Sequence, residues 1–316
     1  MASDLQKVLK AKLLNGWRLF AIVSLPISLM VIAMMLSIDL SKGDGLSEMI
    51  AYSVRWAVPF IYLVVAASAL QVLFPSPLSM WLLRNRKYLG LCFAVAMAWQ
   101  GLFIFIVSTM HRDYYFDEIY AFRDELEGTI GYVFLGALVV TSFQFGRNLI
   151  SRQQWTFLHT AGVIFFWAYP FSVYWWNIFY YPTLEPFNAP RLIDYLFYGL
   201  GFAAFAVRIA AWGKKRHLAN LKISPRYHPP LALRWTAYAL IVISLGAAVS
   251  GGFWREPASF VLYGPKASAD AAEWLPFWPL EPFLPLIVLG LGVMLATSAK
   301  PEIDTDLTRG VMEGRS

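Results

Sequence analysis

The chain has 316 residues, of which 58% are hydrophobic, 17% aromatic and only 15% charged, a balance too apolar for a soluble domain with a solvated surface. Its net charge of +6 would suggest nucleic acid in a soluble protein, but the basic residues lie between apolar runs. There they report membrane topology, and nucleic-acid binding is excluded.

A basic tail with Lys7, Lys10, Lys12 and Arg18 leads into an apolar run over residues 17–38. That run is longer than a signal-peptide core and lacks a small-residue cleavage site, which predicts an uncleaved first span. Further spans are predicted at 48–74, 88–110, 129–145, 155–180, 192–212, 231–251 and 277–297. Each is close to or above the ~20 residues that a helix needs to cross the hydrocarbon. The expected fold class is therefore an all-α polytopic membrane protein of eight transmembrane helices, with both termini on one side of the bilayer. The lone cysteine, Cys92 in the third span, excludes an intrachain disulfide and a CxxC redox or metal site.

Lys and Arg are distributed unevenly. Eighteen lie on the side of the N-terminus, while the other side carries six: Lys42, Arg112, Arg123, Arg191, Arg255 and Lys266. The positive-inside rule then puts both termini in the cytoplasm and the acidic segment 113–127 outside. No repeat or low-complexity run interrupts the chain. The one boundary suggested is the basic loop 213–230, which divides a six-span unit, 1–213, from a second part, 214–316, holding two spans and a short tail. Neither the loop nor the tail could hold a nucleotide-binding domain, so no fused flavin or NAD(P)H domain is expected. Electrons, if they enter, would come from another protein or a small diffusible donor. There is no P-loop, no GxGxxG after a strand, no HExxH and no serine-nucleophile elbow.

Three polar residues inside the spans are candidate sites. His159 lies about a turn and a half inside the fifth span, where an unpartnered imidazole would cost several kcal/mol, on the order of a buried unsatisfied polar group. It is either a cofactor ligand or hydrogen-bonded to the preceding helix, with Gln144 and Thr141 as candidate partners. Gln100, in the third span, can bond across helices or touch a cofactor. Arg55 precedes Pro59 by four residues. It must snorkel, meet a carbonyl freed by the proline, or face a polar group such as a quinone or propionate. The basic set Arg84, Arg86, Lys87, Arg147 and Arg152 fits lipid headgroups, or an anionic cofactor such as a flavin phosphate. The aromatics of 165–181 read as an interfacial belt. Solute transport finds no support, because no broken-helix pair and no buried acidic residue is expected in the spans.

From Pro75 to Trp176 the chain resembles the ferric reductase-like transmembrane domain family, most closely its bacterial branch that forms the haem-binding membrane subunit of the methionine sulfoxide reductase system. The resemblance is carried by Arg84-Asn85-Arg86-Lys87-Tyr88-Leu89-Gly90-Leu91, by Val140-Thr141-Ser142 and by Trp155-Thr156-Phe157-Leu158-His159, with Arg55-Trp56-Ala57 in the second span. Weaker similarity covers the first six spans. It implies a six-helix bundle in a bacterial inner membrane, with b haem held between the third and fifth spans by histidines facing each other.

The chain departs from that pattern at the ligands. The third-span ligand of the branch falls on Gln100, and the second fifth-span histidine falls on Ser172 or Val173. Only His159 matches. His111 lies roughly 16 Å beyond Gln100 at 1.5 Å per residue, near the opposite membrane boundary from His159, and His217 and His228 fall in the basic loop. Two functions follow as expectations. One is an electron-transfer subunit holding a single haem iron through His159. The other is a haem-free scaffold or assembly partner of a membrane complex, working with another membrane or periplasmic protein.

Overall fold

The structure, a computed structural model, describes residues 2–183, 189–223, 229–263 and 280–298. Among the described residues every regular element is helical: α1 (Ala2–Lys10), α2 (Gly16–Met35), α3 (Gly43–Leu73), α4 (Pro77–Met110), one-turn α5 (Arg112–Tyr114), α6 (Phe122–Thr141), one-turn α7 (Gln144–Arg147), α8 (Arg152–Phe179), α9 (Leu192–Ile223), α10 (Leu231–Val249), α11 (Gly251–Tyr263) and α12 (Leu284–Ala296). Six of these, α2, α3, α4, α8, α9 and α10, are long and apolar enough to cross a membrane. The other two expected spans differ in kind. Helix α6 has 20 residues but carries Asp124 and Glu125 in its first turn. Helix α12 has only 13, preceded by the 3-10 turn Glu281–Phe283.

Several helices outrun their apolar stretches. Helix α4 starts at Pro77, eleven residues before the expected position, because Ser76 caps it: its Oγ accepts from Ser79 N at 3.2 Å, and Ser79 Oγ accepts from Ser76 N at 3.0 Å. Ser79 Oγ also donates to Gln71 Oε1 at 2.7 Å, which ties the cap to the end of α3. Ser151 and Gln154 form the same reciprocal cap on α8. Helix α6 begins at Phe122, so part of the expected outer loop 113–127 is helical. The expected basic loop 213–230 is likewise helical as far as Ile223.

Helix α3 is central, packed along α4 on one side and α9 on the other, while α8 closes against α9, α6 and α3. The main core is aromatic: Trp167 stacks on Phe171 at 4.8 Å and on Phe205 at 4.1 Å, and its Nε1 donates to Gly201 O at 2.8 Å. Phe166, Trp167, Tyr174, Trp175 and Trp176 are all buried. This corrects the reading of 165–181 as an interfacial belt, since those rings fill the space between helices. Close packing of this kind holds membrane helices together, because lipid offers apolar surfaces no incentive to leave it. A second cluster, with Val31, Met49, Phe103 and Val107, lies toward the far ends of α2, α3 and α4.

The N-terminal segment is stapled to α4. Asn85, 1% exposed, accepts from Gly16 N at 3.0 Å and donates to Asn15 Oδ1 and Trp81 O, while Arg84 donates to Leu9 O and Asn15 Oδ1. Between α2 and α4 lies Cys92, fully buried, with its Sγ 3.9 Å from Phe20 O. The C-terminal helices pack against the rest of the bundle. Leu286 and Leu289 of α12 join the main core, Asn220 Nδ2 donates to Thr297 O at 2.6 Å, and the expected boundary at residue 213 falls inside α9.

Candidate functional site

His159 lies where the end of α6 meets the start of α8. Its Nε2 is 2.9 Å from Thr141 Oγ1, and its ring stacks on Trp155 at 4.2 Å. Trp155 Nε1 donates to Thr141 O at 3.1 Å, and the Arg147 guanidinium covers the other part of the stack, 4.7 Å from the Trp155 ring. Thr141 Oγ1 is also 2.6 Å from Ala137 O, an acceptor that can take only a donated proton. A hydroxyl has a single proton. With that proton given to Ala137, Thr141 accepts from His159, and the Nε2 lone pair that would bind iron is replaced by an N–H. Of the two expected partners Thr141 is the one engaged, while Gln144 Nε2 donates to Asn148 Oδ1.

The other two positions that the resemblance assigns to haem histidines are engaged as well. Tyr132 OH, on α6, donates to Met97 O at 3.1 Å and lies 3.3 Å from Gln100 Oε1. Ser172 is buried and donates to Tyr169 O at 2.9 Å. His111 is the C-cap of α4, and His228 lies outside the described residues. Among the described residues no group of three or more His, Cys, Asp or Glu could hold a metal ion. The donor set among the described residues therefore does not fit haem: one imidazole has its iron-binding nitrogen committed, and no second described imidazole faces it.

Arg55 is half-buried on α3, where its charge reaches the Tyr174 phenol of α8. It is remote from both His159 and Gln100 in its contacts, so the three candidate residues do not form one site. The basic set is largely used by the fold itself. Arg84 staples the N-terminal segment, Arg147 covers Trp155, and the Lys87 ammonium sits 5.0 Å from the Phe143 ring and 5.8 Å from Trp17. Arg208, which the sequence reading missed, donates to Val65 O at 3.2 Å and ties α9 to α3.

A cavity of about 660 Å³ opens elsewhere, between α3, α4, α6 and α8. Gln100 lies on its wall; His159 and Arg55 do not. Phe166 lines it against Phe93, with ring centres 5.0 Å apart, whereas Phe103 belongs to the second cluster. At its mouth Tyr115 OH donates to Glu125, and burial, then that carboxylate, push the phenol above the ordinary tyrosine range. Glu127 on the wall is buried, as are Asp194 and Glu281 elsewhere. That corrects the expectation of no buried acidic residue. Asp194 is structural, accepting from Asn177 Nδ2 and from Arg191 N at the start of α9. The overlooked residues Asp124, Glu127, Gly128, Gly131 and Tyr132 share three- and four-residue spacing along α6, a signal that was present in the sequence but was divided between the outer segment 113–127 and the span 129–145.

No family model, no curated protein and no solved structure matches this chain; the likeness to ferric reductase-like domains rests on the short motifs alone.

Proposed function

We propose that the chain is an eight-span protein of the bacterial inner membrane that keeps a ferric reductase-like bundle but works without haem, as a scaffold or assembly component of a membrane complex. The observation that carries this reading is the hydrogen bond between His159 Nε2 and Thr141, whose hydroxyl proton goes to Ala137. The only family ligand left in the sequence is thereby turned into a cross-helix staple. Helix α6, with 20 residues, supplies a seventh span of about 30 Å, and α12, shielded by α9 and α10, an eighth. Cytoplasmic termini follow from the Lys and Arg bias.

The experiment is the reduced-minus-oxidised optical spectrum of the purified full-length chain from haem-supplemented cells. No b-type band is expected. Stoichiometric haem that disappears in His159→Ala would overturn the reading in favour of a single-haem electron-transfer subunit. Stoichiometric haem that survives His159→Ala would overturn it in favour of ligands from another chain.

A further inference from the structure

Where the N-terminal segment is held against the start of α4, a hollow of about 580 Å³ opens at the entry to the spans α2 and α4. Its walls carry four cations and no Asp or Glu: Lys10 ends α1, Lys12 follows it, Arg18 lies in the first turn of α2, and Arg84 comes from α4. None of Lys10, Lys12 and Arg18 makes a salt bridge among the described residues. Arg84 gives only Nη2 to the staple, through Leu9 O and Asn15 Oδ1, which leaves Nε and Nη1 for another acceptor. Like charges gathered in one hollow repel one another, and a shared anion relieves that repulsion. The hollow is also built before any ligand arrives, because Trp81 Nε1 donates to Leu14 O at 2.8 Å and Asn85 holds the Asn15–Gly16 turn.

The apolar residues of the same segment point to the kind of anion. Leu5, Val8 and Leu13 are about half exposed, and so is Trp17, whose ring is fixed by contacts with Phe20, Tyr88 and Phe143 at 5.4–5.9 Å. An indole at the first turn of a spanning helix marks the depth of the lipid headgroups, and a short helix with apolar and basic residues lies in that plane. A soluble anion has no use for this exposed apolar surface. A phospholipid uses both parts, its phosphate among the cations and its acyl chains on the apolar side.

We propose that this hollow binds one anionic phospholipid, whose phosphodiester sits among Lys10, Lys12, Arg18 and Arg84 and whose acyl chains lie against Leu13 and Trp17. The four cations favour a headgroup of net negative charge over a zwitterionic one, whose ammonium they repel. Of the basic residues singled out in the sequence for headgroups only Arg84 takes part. The binding is therefore a matter of one built site and not of the general charge of that membrane face.

The test is native mass spectrometry of the delipidated full chain in a non-ionic detergent, titrated with dioleoylphosphatidylglycerol or with dioleoylphosphatidylcholine of the same chains. The first phosphatidylglycerol should bind about tenfold tighter than phosphatidylcholine, or more. Lys12→Gln with Arg18→Gln should weaken phosphatidylglycerol by about tenfold or more and leave phosphatidylcholine unchanged. Arg152→Gln with Lys215→Gln, which removes the same charge from exposed positions outside the hollow, should leave the affinity within about twofold of the original. Glycerol 3-phosphate in excess should not displace the lipid. Absence of saturable binding, equal affinity for the two lipids, or equal loss in the two double variants would overturn the proposal, the last in favour of surface charge alone. Displacement by glycerol 3-phosphate would overturn it in favour of a soluble phosphate. Should Lys12→Gln with Arg18→Gln not remain monodisperse, Lys10→Gln with Lys12→Gln leaves α2 untouched and decides the matter by the same criterion. Haem content is a separate readout, so this site and the haem-free reading fail independently.

Discussion

At Asn85 every polar atom of a buried amide is used: Oδ1 takes the Gly16 N–H, and Nδ2 serves Asn15 and Trp81. Replacing it with leucine strands the Gly16 amide and should cost about 1–3 kcal/mol, seen as a lower melting temperature in detergent. Gly16 itself has φ +65, so Gly16→Ala should cost about 1–2 kcal/mol through backbone strain alone, and an unchanged melt would show that the turn relaxes. The His159–Thr141 bond is open to a double-mutant cycle with His159→Ala and Thr141→Val. A coupling of about 1 kcal/mol is expected, and strictly additive melts would show that the contact contributes nothing. Thr141 could be named from sequence because it lies near the end of the expected span before the one bearing His159. The Tyr132 partner of Gln100 could not, since 32 residues separate the pair and only the packing of α6 on α4 unites them.

Helices are where sequence and structure diverge most, and one physical reason covers the cases. Hydropathy reports the part of a helix that lies in hydrocarbon, whereas hydrogen bonding continues until a cap or a breaker stops it. Helices α4, α6 and α9 accordingly overrun their apolar stretches by one to three turns. The cap of α4 was legible in Ser76-Pro77-Leu78-Ser79, a serine followed by proline and a second serine at the right spacing. Ser76→Ala should lower stability by about 1 kcal/mol. Ser79→Ala should cost more, because its hydroxyl also donates to Gln71 Oε1, and equal effects of the two would show that the α3–α4 turn does not depend on that tie. The aromatic residues of α8 were misread for another reason. Composition cannot distinguish a ring at the lipid interface from one between helices, and only the positions of α3 and α9 settle that Trp167 and Trp175 are interior.

Over the whole molecule, the six apolar helices were legible because their residues face lipid or one another with little else to decide. The packing of the last helix across residue 213 was not, because it rests on contacts made 70 to 80 residues later, where Val293, Leu286, Leu289 and Thr297 close onto α9 and the main core. A chain stopped at residue 213 should therefore fail to accumulate as a monodisperse protein, and normal yield with an unchanged melt would show that the six-helix part stands alone. The charge bias predicts cytoplasmic behaviour for reporters fused after Ser316 or inserted at 224–228, and external behaviour for one inserted at 113–118. An external C-terminus would mean that α6 or α12 does not cross the bilayer.

The buried position of Cys92 has a practical corollary. Because it is the chain's sole thiol and sits sealed between α2 and α4, its alkylation by a maleimide clocks the rate at which those two helices part. The folded protein should react orders of magnitude more slowly than the denatured chain, and Asn85→Leu, by loosening the staple beside it, should quicken the reaction before any change in circular dichroism. Cysteines introduced at exposed positions can then carry probes for distance measurements in lipid, with the native sulfur silent as long as the bundle stays closed.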